Sequence, residues 1–182
     1  MITALRSTRI LALVAFALAG SATLSLPASA ATPEELIRPI QDQWAEIKYH
    51  QPEKQHAESY RMLASQARRV VEANPKLPEP LIWEGIVLSS EAGAAGGLGA
   101  LSLAKEARQR LDEALKIDDK ALGGSAYASL ATLYAKVPGW PVGFGDKAKA
   151  QELLHKALAI NPRGIDPNFF YGEYLIETGK SA

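Results

Sequence analysis

The sequence predicts an all-α protein built from successive helical hairpins, about three of them, with one further helix at the C-terminal end. Three observations predict it. Apolar residues after position 30 recur at helical spacing, and no segment alternates as a half-buried strand does. Breaks containing proline, Gln51-Pro52, Asn74-Pro75 and Asn161-Pro162, follow segments of helix length. A block also repeats: Leu111, Ala114, Leu115 and Ile117 return as Leu154, Ala157, Leu158 and Ile160, 43 positions on.

Taken in order, the first thirty residues stand apart. Arg6 and Arg9 precede an apolar run, Ile10 to Gly20, that falls short of the roughly 20 residues a spanning helix needs. Small neutral residues follow and end in Ala28-Ser29-Ala30. This is the three-part pattern of a secretory signal, with cleavage expected after Ala30; the alternative reading is an uncleaved anchor. Residues 31–182 then form one helical repeat domain, periplasmic or secreted, with no membrane span after cleavage.

Thr32-Pro33-Glu34-Glu35 reads as a capping box opening a first helix that runs to about Tyr49, with Pro39 inside it. A second helix is expected over Glu53–Ala73 and a third over Pro80–Glu91. Ala92 to Gly99, rich in glycine and alanine, reads as a loop. A fourth helix is expected over Ala100–Ile117 and a fifth over Gly124–Lys136. Pro138 to Gly145 holds three glycines and two prolines and is not helix. Asp146 is placed to cap a sixth helix, Lys147–Ile160. Asp166 and Pro167 supply a cap and first position for a seventh, ending at Gly179.

Composition excludes several kinds of chemistry. The chain has no cysteine, so disulfides, thiol catalysis and lipidation on cysteine are ruled out. Lysine plus arginine equal aspartate plus glutamate at 20 each, which gives no reason to expect nucleic acid. His50, His56 and His155 lack the spacing of metal ligands. The glycines from Gly93 to Gly99 lack the preceding strand and the Lys-Ser/Thr end of a phosphate loop. With no nucleophile–base pair, metal set or cofactor motif, a non-enzymatic protein without cofactors is expected.

The repeat carries a more specific pattern. Ala150, Leu154, Ala157 and Pro162 follow at steps of four, three and five; Ala107, Leu111 and Ala114 repeat the first steps, with Asp119 in the proline's place. Upstream of these, Tyr127, Leu130, Ala131 and Tyr134 form an aromatic, leucine, small, aromatic series. Gly85 with Leu88, and Tyr171, Gly172, Leu175 and Gly179, are its counterparts. This pattern resembles the tetratricopeptide repeat (TPR) over about Leu77–Gly179. The resemblance implies an α-α superhelix, a TPR-like solenoid, in which small residues let helices approach and aromatics wedge between hairpins. The repeat is longer than the family's period of about 34 residues, and the Ala92–Gly99 and Pro138–Gly145 segments absorb the excess. The latter segment, with the run Gly164 to Gly172, also resembles a group of bacterial exported TPR proteins. More distantly, the chain is similar to the helical T component of tripartite (TRAP) transporters, which binds a substrate-binding partner and often carries a lipid-attachment cysteine, absent here.

The resemblance implies that first helices line an inner wall and grip a protein or peptide. On this chain those positions are Ser125, Ala128 and Thr132, then Asp166, Phe169 and Glu173, with Glu79, Ile82 and Ser89 from the earlier unit. Trp140 and Phe144 admit two readings: a lid folded back on the core, or a binding edge. In the alternative function, they and the wall enclose a small ligand in a periplasmic, transport-associated component. The seventh helix is apolar on both faces and is a candidate for self-association.

Overall fold

The computed structural model describes residues 31–180, with Leu98 described by its backbone alone; the expected signal segment and its cleavage site lie outside the described residues. Seven α-helices follow one another among them: α1 Pro33–His50, α2 Glu53–Ala73, α3 Pro78–Ala95, α4 Gly97–Ile117, α5 Ser125–Lys136, α6 Lys147–Ile160 and α7 Ile165–Glu177. A short 3₁₀ turn, Ala121–Gly124, precedes α5. The described residues contain no strand, only one isolated bridge between Gly139 and Gly145.

Two of the helix starts, those of α1 and α6, follow from side-chain capping. The Thr32 hydroxyl accepts from the Glu35 N–H at 3.2 Å, and the Glu35 carboxylate accepts from the Thr32 N–H at 2.8 Å. That capping box satisfies two donors that helix geometry leaves unpaired. Asp146 accepts from the Lys149 N–H at 3.0 Å and starts α6 in the same way. At α7 the expected cap is corrected. Gly164 is the cap and Asp166 lies inside the first turn. Asn168 donates to the carbonyls of Pro162 at 3.0 Å and Gly164 at 2.8 Å, holding the turn two residues earlier.

The expected Ala92–Gly99 loop is also corrected. α3 continues to Ala95, α4 begins at Gly97, and the chain reverses on a single residue, Gly96. Gly96 has φ 61° and Gly97 φ 64°, a left-handed backbone that glycine alone enters without steric penalty. Ala92, Ala94 and Ala95 are strong helix formers, so the rest of the stretch stays helical. The extra length of this hairpin is therefore held in longer helices. The second insertion, between α5 and α6, is a loop as expected.

Each helix packs on the next, and α1 also packs on α3, α3 on α5 and α5 on α7. Leu63, Ile82, Leu88, Leu111, Leu130 and Leu154 fill the core, with Ala67, Ala107, Ala114, Ala131 and Ala150 buried among them. These alanines bring helix axes close. At Gly85 the approach is closest: a Cβ there would stand 2.7 Å from Leu111 Cγ and 3.2 Å from the Ala107 carbonyl. The equivalent glycine of the last unit, Gly172, would meet nothing within 4 Å. Gly85→Ala is therefore expected to destabilise the protein by about 1–2 kcal/mol, because overpacking outweighs the gain in helix propensity. Gly172→Ala is expected to stabilise it by about 0.5–1 kcal/mol, because only propensity changes. Urea unfolding of the two variants checks both signs.

Candidate interaction surface

Two of the expected wall residues come together. Thr132 on α5 and Glu173 on α7 border one recess with Lys136 and Phe170, and its volume is about 10 Å³, room for about one water. The Glu173 carboxylate lies 3.2 Å from Lys136 Nζ, and Glu177 pairs with the same ammonium. The Glu177 hydrogen bond is the main cause that holds the Lys136 pKa above its ordinary value, with Glu173 adding to it. Ser125 is half-buried at the first position of α5, and Asp166 is exposed at the start of α7. Ala128 and Ile82 are 1% and 0% exposed, so the reading of both as wall positions is corrected: their side chains are consumed in helix packing. Glu79 and Ser89 are half-buried, and the Ser89 hydroxyl donates back to the Gly85 carbonyl at 2.8 Å.

Phe169 is 63% exposed. Ile165 and Ile176 on the same helix are 86% and 73% exposed. These three and Gly172 fall at helical spacing along one stripe of α7. Beneath them the helix is anchored by Tyr174, which is 4% exposed and donates its hydroxyl proton to the Lys147 carbonyl at 3.0 Å. The exposed apolar stripe thus lies on a helix that is itself firmly docked.

Trp140 and Phe144 do not act as a pair. Phe144 folds back: its ring meets Tyr134 edge-on with centroids 5.4 Å apart, and the Arg108 guanidinium sits 4.3 Å above it. Trp140 is 90% exposed at the loop tip. The lid reading fits Phe144 alone, and the exposed ring is Trp140. The loop itself is held by backbone hydrogen bonds, Gly145 N–H to the Pro138 carbonyl and Asp146 N–H to the Tyr134 carbonyl, each 2.9 Å.

Sequence reasoning missed a buried ion-pair cluster. Glu84 of α3 is 0% exposed, with its Oε1 3.2 Å from Arg68 Nε and its Oε2 3.1 Å from Arg110 Nε. Arg68 also pairs with Glu106, and Arg110 with Glu113 at 3.1 Å. Five charged groups thus tie α2, α3 and α4 together. The available signal was a lone carboxylate in the apolar run Leu81 to Leu88, since a buried charge needs partners.

Among the described residues, no three His, Asp or Glu side chains stand close enough to hold a metal ion, and no helix is long and apolar enough to cross a membrane. A scan against protein-family models finds no match, and a search of curated proteins finds no significant relative.

Proposed function

We propose that the chain is an exported, non-catalytic interaction scaffold built from TPR-like hairpins, and that its α7 stripe seats a partner helix. The order of packing supports this reading. Alternate helices α1, α3, α5 and α7 contact one another in turn, and α4 and α6 lie against their preceding helices, as stacked hairpins require. The single observation that carries the docking site is the contrast between the two glycines. Where Gly85 is covered by Leu111 and Ala107 of a second helix, Gly172 is open, and Ile165, Phe169 and Ile176 stand exposed around it. Among the described residues, no second helix covers this seat on α7. The partner that fits is an amphipathic helix with a seam of small and large apolar residues, like Ala107, Leu111 and Ala114.

A photo-crosslinking residue at position 169 tests this in the native envelope. One discrete adduct is expected, lost when Ile165 and Ile176 are changed to serine, while the same probe in place of the exposed Gln109 of α4 gives none. No adduct at 169, or an equal one at 109, sinks the docking site. Light scattering of the purified protein then separates a second copy of this chain from a different partner.

A further inference from the structure

The end of the molecule far in sequence from α7 carries a recess of another kind. Where the C-terminal end of α1, the N-terminal end of α2 and the C-terminal end of α3 meet, the surface falls into a cleft of about 830 Å³. Sites for small organic molecules run roughly 300–1,000 Å³. One wall is the extra turn of α3, Gly93 and Ala94, which exists because the chain stays helical past Glu91.

The cleft has aromatic walls. Trp44 is fixed by its indole N–H, which donates to Ser90 Oγ at 2.8 Å, and by edge-on packing against Trp83 at 6.2 Å. Across from α1, the rings of His56 and Tyr60 meet edge-on at 5.8 Å, and His56 is held to the Gln51 carbonyl at 3.0 Å. Tyr60 is 3% exposed, yet its hydroxyl has no hydrogen-bond partner among the described residues. A buried hydroxyl without a partner costs free energy that an arriving oxygen atom relieves.

The rim is cationic. Lys48 and Lys54 both border the cleft, and among the described residues neither has a carboxylate within 4 Å; Glu53 is the one acidic side chain in its lining. α2 begins here behind Pro52 with no side-chain cap: the Gln55 N–H bonds the Pro52 carbonyl at 2.9 Å, and among the described residues the Glu53 and Lys54 N–H groups have no partner. Glu53 and Lys54 share that first turn, where the positive end of the helix dipole favours a further anion.

We propose that this cleft binds a small organic anion with a flat ring, its ring against Trp44 and His56 and its charged group at Lys48, Lys54 and the open start of α2. The site is independent of the α7 stripe and adds a ligand to a chain read so far as a protein-binding one. Phenylacetate is a suitable probe, with phenylacetamide and acetate as controls. Titrated into the ¹⁵N-labelled protein, phenylacetate is expected to move the Trp44 indole signal and the Lys54 and Ser90 amides. Phenylacetamide, and phenylacetate on the Lys48→Ala/Lys54→Ala variant, are each expected to bind about tenfold more weakly. Far-ultraviolet circular dichroism of the variant is expected to match the wild type, since both lysines are exposed. Tyr60→Phe is expected to weaken binding about threefold with the fold intact. The proposal is overturned by silence of those three signals up to about 20 mM phenylacetate. Equal binding of the neutral amide, or shifts confined to α7, overturns it as well.

Discussion

Arg110→Ala is expected to lower the unfolding free energy by about 3 kcal/mol, while Glu84→Leu, at the centre of the same cluster, is expected to change it by less than about 1 kcal/mol. The asymmetry follows from where water reaches. The Glu84 side chain is 0% exposed, whereas those of Arg68 and Arg110 are 43% and 25% exposed. Removing Arg110 leaves a buried carboxylate with one partner in place of two. Removing the carboxylate leaves two guanidiniums that solvent, Glu106 and Glu113 already serve. Leucine fills the vacated volume with apolar atoms, so the desolvation cost of Glu84 disappears together with its ion pairs. Urea unfolding of both variants measures the difference, and equal losses would show that the carboxylate is a net source of stability.

The same cluster sets a pH dependence. Burial pushes the Glu84 carboxyl above its ordinary 4.5, with Arg110 and Arg68 pulling against that shift. A carboxyl whose folded-state pKa is raised holds its proton more firmly when folded. Its contribution therefore falls as pH rises from 4.5 through the raised value, and is flat below 4.5. Glu91, raised chiefly by burial, acts with the same sign. Glu152 opposes them: Lys156 and Lys149 hold it at about 2, so its contribution is present above 4.5 and is lost as pH falls toward 2. Glu84→Leu is expected to remove the Glu84 part of the fall above pH 4.5 and leave the acid limb in place. Unfolding curves at stepped pH check this.

Gly145→Ala is the second large effect, expected at about 3 kcal/mol. A Cβ at this position would stand 1.8 Å from the Val137 carbonyl oxygen and 2.8 Å from its carbon. Both are backbone atoms, so no side-chain rotation relieves the clash. The loop must open, and with it go the Gly145–Pro138 and Asp146–Tyr134 backbone bonds. Phe144 then loses its seat between Tyr134 and Arg108, and α6 loses the anchored start at Asp146. Trp140→Ala, five residues away, is expected to change stability by less than about 0.5 kcal/mol because the ring is exposed. Thermal unfolding of the pair separates loop framework from loop tip.

The helical framework was legible where one residue type has one local use. Thr32 with Glu35, Asp146 and the Asn-Pro and Gln-Pro breaks act through the backbone beside them, so α1, α2 and α6 lie where their residues place them. Ala92 to Gly99 misled because glycine and alanine are composition cues with opposite conformational meanings. Only the left-handed φ at Gly96 and Gly97 separates a reversal from a helix that tolerates Gly93 and Gly99. Wall positions were less legible. Ala128 and Phe169 occupy matching places in the sequence pattern, but one is buried and the other exposed, because burial depends on which helices pack over each position and not on the pattern alone. Glu84 and the α1–α2–α3 cleft were hidden for another reason. Each depends on side chains brought together from three helices, which no spacing within a single helix records.

The locality of the packing has a kinetic meaning. Every substantial contact joins helices no more than two apart along the chain. Each closure on the way to the native state then spans a short stretch of polypeptide, and loop-closure entropy grows only slowly with such spans. Order can spread from any neighbouring pair, and α1 needs nothing beyond α3 to find its place. A chain emerging from a ribosome can therefore begin to assemble before α7 arrives.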